Sequence, residues 1–472
     1  MRGFLASSIG VTCAVALALP LTPPATAAPV APAAGRATGT AGPDLPGSTQ
    51  SLPLTPLATG PTADRTLGPA ADQGVTRREV ARFSMVGVVW DDPDTALHGE
   101  VQVRSRSTGT GTWSDWRDVE THNDDAADPD SAERATGRVR GATAPLWVGD
   151  SDAVEARVSA EPADRTEPAD RTEETVRTEE TARAVRPRAP LPEGLRLELV
   201  DPGDAPPDPA SRAAGTPGAA ESAEATEAAV ANADLAPAGA TEIPALGRTA
   251  TERELVTLRG TELTDDQRAK PHIGDRPRIV TRRGWGADEK LRERKFVYTT
   301  TVKAAFVHHT ATGNGYTCAQ SASVIRGIYR YHVKSLRWRD IGYNFLIDKC
   351  GGIYEGRAGG VGKAVLGAHT LGFNSNSTGI AVLGSFGSAK PPAAAVTALA
   401  RLTAWKLGLY GANPRGKTYL KSGGGNLYRK GKNVRLNVIS GHRDGFATDC
   451  PGGQLYSRLG TTRTTAARYQ GR

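Results

Sequence analysis

Apolar side chains are in short supply in this 472-residue chain. They make up 38% of it, against about 45–50% in an average globular domain. With 54 Gly and 32 Pro beside that figure, a chain packed along its whole length is excluded, and long unpacked stretches are expected. Long apolar runs are missing too. After the first 27 residues none reaches the roughly 18 needed to span a bilayer. Cysteine is scarce, with four in all. What is present, clusters of Trp, Tyr, Ile, Val and Leu, excludes a collagen-like or wholly disordered protein.

The net charge of +7 hides an asymmetry. Before Pro277 there are 27 Lys/Arg against 43 Asp/Glu, a balance of −16; from Pro277 onward there are 31 against 8, a balance of +23. The two halves are electrostatically different objects. Met1-Arg2, the apolar stretch from Gly3 to Leu21 and the small-residue site Ala25-Thr26-Ala27 read as a secretory signal over 1–27. Pro20 and Pro23 argue against the alternative, an uncleaved membrane anchor. A secreted protein, extracellular or associated with a cell wall, is expected. Losing the signal removes Cys13 and leaves Cys318, Cys350 and Cys450. In an oxidising compartment two should pair, and the third is a free thiol, an intermolecular bridge or a metal ligand.

Composition divides the rest. Residues 28–76, rich in Ala, Pro, Thr and Gly without a period, read as a disordered lead. Residues 77–201 carry short alternating runs, among them Phe83 to Trp90, Gly99 to Ser105 and Leu195 to Val200, and predict an antiparallel β-sandwich-like domain. A mobile charged insertion at 161–190 interrupts it, with Glu-Pro-Ala-Asp-Arg-Thr and Arg-Thr-Glu-Glu-Thr each occurring twice. Residues 202–276 read as an Ala/Pro/Glu-rich linker. From 277 to 472 strands and helices alternate: a strand into His308, a helix over Cys318–Leu336, a hairpin around Asp348 to Gly352, an apolar strand at Gly379–Leu383, a second helix from Val396 to Leu407, and a short strand before His442. That pattern predicts one mixed α/β domain, a central sheet flanked by helices.

Five of the eight histidines, His308, His309, His332, His369 and His442, fall in this basic part. His308 and His442 each end a strand, where α/β folds open their crevices, and Cys450 follows eight residues after His442. Two neutral imidazoles and a thiolate make a three-ligand zinc set with a fourth position open. Buried structural roles for the same three residues are the alternative.

The ordered motifs Phe306-Val307-His308-His309-Thr310-Ala311, Asp340-Ile341-Gly342-Tyr343-Asn344-Phe345, Gly367-Ala368-His369-Thr370, and Gly441-His442-Arg443-Asp444 through Cys450-Pro451-Gly452 carry a resemblance. Over Pro277 to Gly460 the chain resembles the peptidoglycan recognition protein and type 2, phage-lysozyme-like zinc N-acetylmuramoyl-L-alanine amidase family. The resemblance implies zinc ligands at His308, His442 and Cys450. It implies a catalytic Tyr343, whose hydroxyl orients water or hydrogen-bonds a developing oxyanion, and a hydroxyl contribution from Thr448, where phage enzymes carry lysine. His332 and His369 would contact the muramyl-peptide. His309 is grouped with them, a packing role being its alternative.

The implied activity is hydrolysis of the amide between the muramic acid lactyl group and L-alanine, zinc bringing the pKa of water to about 7. If Cys450 is a ligand, Cys318 and Cys350 remain as the pair, a disulfide closing a loop of about 33 residues worth roughly 3–4 kcal/mol. The rival function is a non-catalytic peptidoglycan-binding receptor or wall adhesin. A monomer is expected, with peptidoglycan as partner and anionic wall polymers attracted to the basic half; secretion argues against nucleic acid.

Overall fold

The structure, a computed structural model, describes residues 47–57, 72–122, 124–162, 189–204 and 225–472. The expected signal and almost all of the charged insertion lie outside the described residues.

Eight strands form the first sheet: β1 (Thr49–Pro53), β2 (Thr55–Pro56), β3 (Asp72–Trp90), β4 (Gly99–Ser107), β5 (Arg117–Val119), β6 (Gly141–Ala142), β7 (Leu146–Ala160) and β8 (Arg196–Val200). All pairings are antiparallel, in the order β1-β8-β3-β7-β4-β5, with β2 and β6 also on β3. Alternation sorts the side chains. Val86, Val88, Trp90, Val101, Val103, Leu197 and Leu199 fill the sheet's own core, while Met85, Val89, Trp147 and Val200 face away from it. Register shifts along β3 and β7 bend the long strands. The expected lead is therefore not wholly without structure. Thr49–Pro53 pairs with β8, Leu52 opposite Leu197, and its proline is tolerated because the strand is an edge.

The second sheet has seven strands: β9 (Glu242–Ile243), β10 (Ile279–Val280), β11 (Ala304–His309), β12 (Phe345–Ile347), β13 (Ile353–Glu355), β14 (Ser377–Val382) and β17 (Ile439–Gly441). A separate hairpin pairs β15 (Lys417–Lys421) with β16 (Asn433–Asn437). The sheet order is β17-β11-β14-β12-β13-β10-β9, mixed in direction, with β11 parallel to both neighbours. Every residue of β11 is buried, as expected of a strand covered on both faces. On one face, helices Ala393–Gly408 and Leu459–Tyr469 pack through Leu399, Leu402 and Ala466 against Ala305, Val307 and Ile380. On the other, helix Ser321–Arg330, continued by a wider turn over Tyr331–Ser335, sets Val324, Ile325 and Ile328 against Leu346 and Ala381. Cys318 and Cys350 form a disulfide beside that helix.

The outward face of the first sheet closes over the same helix. Met85, Val89, Trp147 and Val200 share a core with Ile325, Ile328 and Tyr331. The Tyr331 hydroxyl lies 3.3 Å from the Val88 carbonyl and 3.2 Å from that of Thr143. A Cβ on Gly87 would come within 2.3 Å of that hydroxyl, so the approach requires glycine there. Ser335 donates to Glu198 at 2.7 Å, and Glu133 pairs with Arg357 at 2.9 Å, all four buried. Both sheets thus belong to one body, Asp44–Arg472.

The linker expected over 202–276 is corrected from residue 225 onward. Strand β9 forms the edge of the second sheet beside β10, and helix Arg248–Arg259 packs against the same core, burying Ile243 and Leu255 in it. The segment has few large apolar residues, but a preformed core needs only those few to hold it. Leu255→Ala should lower stability by about 2–4 kcal/mol in urea unfolding of the full chain, whereas in a true linker it would stay within about 0.5 kcal/mol of zero.

Candidate metal centre

Register brings the first two donors together. In the parallel pair β11–β17, Val307 lies opposite Gly441, so His308 and His442 leave the same end of adjacent strands. Their rings sit 4.5 Å apart, centroid to centroid. A single helical turn, His442–Asp444, then reverses the chain, and Arg443 N–H donates to the Cys450 carbonyl at 3.1 Å. Cys450 Sγ ends 3.7 Å from His308 Nδ1 and accepts from His309 N–H at 3.4 Å. One donor atom from each of His308, His442 and Cys450 lies within 4.8 Å of the others, and all three residues are buried.

Burial dictates the charge state. It pushes His308 down to about 3, with His309 nearby adding to the effect, and His442 well below its ordinary value. The same burial holds the Cys450 thiol well above its usual range. Neither ring nitrogen of His442 finds a hydrogen-bond partner among the described residues. Two neutral imidazoles, one of them without hydrogen bonds, beside a thiol that ionises only near a cation, fit a divalent metal of the zinc type. The outer nitrogen of His308, Nε2, lies 3.3 Å from the Thr370 hydroxyl, which is itself 3.0 Å from His369 Nδ1. This fixes the ring so that Nδ1 faces Cys450, the orienting role usual for partners of metal-binding histidines. Thr370 was not among the expected site residues.

The other expected residues are placed unevenly. Tyr343 is buried with its ring 5.6 Å from that of His308. Thr448 accepts from Cys450 N–H at 3.3 Å. His369 lies against His308, rings 5.2 Å apart. His332 is buried beside Trp338, and its Nδ1 accepts from Gly342 N–H at 3.1 Å, so it holds the backbone that presents Tyr343. Alternation along β11 turns His309 to the opposite face, where its Nδ1 accepts from Phe386 N–H at 3.4 Å; it is not brought into the cluster.

One residue in the cluster comes from the first, acidic domain. After β5 the chain turns at Asp124, left-handed at φ 51°, a conformation that aspartate tolerates better than most residues. Asp125, the next residue, reaches both imidazoles. Asp125 Oδ1 is 2.9 Å from His308 Nδ1 and 3.5 Å from His442 Nδ1, its side chain 4% exposed. Its Oδ2 accepts from the Tyr343 hydroxyl at 2.5 Å. The Thr448 hydroxyl donates to the His122 carbonyl in the same loop. In the sequence, Asp124-Asp125 reads only as part of an acidic loop; no periodicity links it to a histidine 183 positions on.

A mixed sheet that presents two histidines at the ends of parallel strands, with a cysteine returned to them by the following loop, defines an α/β domain with a candidate metal centre. The N-acetylmuramoyl-L-alanine amidase family profile matches residues 298–453, and the Rv3811 N-terminal galactose-binding domain-like profile matches residues 36–184. Peptidoglycan-recognition protein SC2 of Drosophila simulans is 31% identical over 39% of this chain and 85% of its own length. SC1a of Drosophila melanogaster is 35% identical over 33% and 70%. Among solved structures, human PGRP-IBETAC in complex with glycosamyl muramyl pentapeptide is 28% identical over 39% of this chain and 94% of that one, with a TM-score of 0.31. The chain belongs to the peptidoglycan recognition and type 2 amidase family.

Burial also makes the fold sensitive to acid through His332, whose pKa it pushes down to about 3. The unfolded chain takes up a proton at this residue below about 6.5, while the fold does not until about 3. Stability should therefore fall as pH drops from about 6.5, by up to about 1.4 kcal/mol per pH unit from this group. Urea unfolding of the metal-free protein between pH 7 and 4 should show a shallower slope in His332→Gln than in the wild type.

Proposed function

We propose that this chain is a secreted zinc-dependent N-acetylmuramoyl-L-alanine amidase, cleaving the bond between the lactyl group of muramic acid and the L-alanine of the peptidoglycan stem. The observation that carries this reading is the meeting of His308, His442 and Cys450 within 4.8 Å, with the Tyr343 ring 5.6 Å from that of His308. Membership of the family supports peptidoglycan as the substrate class. No helix among the described residues is long and apolar enough to cross a membrane, and residues 1–27 have the features of an export signal.

His308, His442 and Cys450 would hold the metal, whose chemistry, when bound, is Lewis acidity and a water acidic enough to react near neutral pH. The protein's own residues supply the rest. Thr370, backed by His369, keeps Nδ1 of His308 turned inward. The Tyr343 hydroxyl is an O–H donor beside His308, suited to the scissile carbonyl oxygen as its charge grows. Thr448 offers a second, neutral donor. His332 acts at one remove, holding Gly342 and thus the Tyr343 backbone. The basic half, at +23, would draw the domain onto carboxylates and phosphates of a wall.

Because Asp125 lies among the donors, the assay uses the full chain in both wild-type and Asp125→Ala forms. The readout is new L-alanine amino termini released from purified peptidoglycan, after chelation and after zinc return. Zinc-restorable release in at least one form, abolished when Cys450→Ala is added, is the expected result. Peptidoglycan binding without release in either form would make the protein a receptor or adhesin and remove the catalytic roles of Tyr343 and Thr448.

A further inference from the structure

We propose that Asp125 is a fourth protein ligand to the metal held by His308, His442 and Cys450, so that the acidic domain closes the centre and the chain as folded is latent. This rests on the metal-centre reading above and adds to it a residue from outside the amidase domain. Tetrahedral zinc with ordinary bond lengths sets nitrogen and oxygen ligands about 3.3 Å apart, and nitrogen and sulfur about 3.6 Å. The distances here are 2.9 and 3.5 Å from Asp125 Oδ1 to the two Nδ1 atoms, and 3.7 Å from His308 Nδ1 to Cys450 Sγ. The donor atoms that lie within 4.8 Å of one another are those of His308, His442 and Cys450, and Asp125 Oδ1 is within ligand-to-ligand reach of the two imidazoles of that set. The inferred step is that this carboxylate takes the fourth position, which a catalytic centre of three protein ligands keeps open and a closed one fills.

The same loop takes both hydroxyls. Tyr343 donates to Asp125 Oδ2 and Thr448 to the His122 carbonyl, so neither is directed at a substrate. Three residues further on, Asp128 Oδ1 accepts from Gly372 N–H at 2.8 Å and from Asn374 Nδ2 at 2.8 Å, and the Ala126 carbonyl also accepts from Asn374 Nδ2. The loop is thus pinned on both sides of the reach into the centre. Beyond it, Glu133 and Arg357 form a buried pair, and the sheet itself packs on helix Ser321–Arg330. Opening the centre requires the loop to leave, and these contacts oppose that.

Cobalt(II) in the metal-free full chain tests the inference without relying on amidase activity, with azide as the probe of an open coordination position. Wild-type protein should show a four-ligand visible spectrum that azide does not change. Asp125→Ala should show a different spectrum that azide shifts, and cobalt affinity weaker by at least about tenfold, the smaller loss seen even for outer partners of metal ligands. Asp128→Ala, which loosens the loop and keeps every donor, should let azide in partially and guards against misfolding of the first variant. Peptidoglycan cleavage should rise in both variants. Matching spectra and equal azide access in wild type and Asp125→Ala would overturn the inference alone. Failure of all three proteins to bind cobalt would overturn the metal centre together with it. The expected cobalt pattern without cleavage in any form would leave the closure standing and remove the amidase.

Discussion

Everything at the centre depends on one register: Val307 opposite Gly441 in a parallel pair. Parallel neighbours end on the same side, so two histidines that are 134 positions apart in the chain emerge as adjacent residues. An antiparallel pairing of the same strands would send them to opposite ends. The pairing can be parallel because β11 lies inside a sheet covered by helices on both faces, the setting parallel strands need. The rest of the site is attached to that pair by short-range means. A single turn returns Cys450, and a threonine between two imidazoles sets which nitrogen of His308 points inward.

Burial is what gives these donors their chemistry. In water the histidines would be partly protonated near neutral pH, and the thiol would behave as any other. Inside the fold His308 is held neutral and Cys450 is held as a thiol. Both are uncharged and poised for a cation, which favours the thiolate and is disfavoured by imidazolium. The helix beneath contributes by being covered twice. Tyr331 hydrogen-bonds two carbonyls of the first domain, and Ile325 and Ile328 lie in a core shared with Met85. A helix with a single apolar face would have left the first domain nothing to pack against.

Much of this was legible in the sequence. The strands ending at His308 and His442, the helix from Cys318, the hairpin around Asp348 and the helix before Leu407 all stand where periodicity puts them, because each is a local pattern of burial. The antiparallel character of residues 77–201 was legible for the same reason. What escaped was set by partners distant in the chain. Ile243 and Leu255 sit in a stretch whose composition is that of a linker, and only the second sheet's ready-made core makes them structural. Thr49–Pro53 is a strand because β8 supplies an edge for it. Asp125 has no local signature at all, since its position comes from the docking of one domain on another. His309, next to His308 in sequence, is turned to the far side of the sheet by the two-residue period of a strand, where it meets Phe386, in keeping with the packing role that stood as its alternative.

The opposite charges of the two halves, −16 and +23, invite the view that attraction holds them together, but the pairs themselves argue for a narrower role. Lys430 and Asp130 meet in the open, each about two-thirds exposed, where such a pair contributes little. Glu133 and Arg357 meet in the interior, where the cost of removing both from water offsets most of their attraction. Removing either partner would leave a buried charge, so the pair penalises every docking but one. Met85, Val89, Trp147 and Val200 supply the apolar contact, which is non-directional. The directional part falls to the acidic side chains: Glu133 on Arg357, Glu198 on Ser335, Asp128 on Asn374 and Asp125 at the centre. Excess acid in the first domain thus acts as a set of positioned acceptors, and the register they impose carries a carboxylate to a point between two imidazoles.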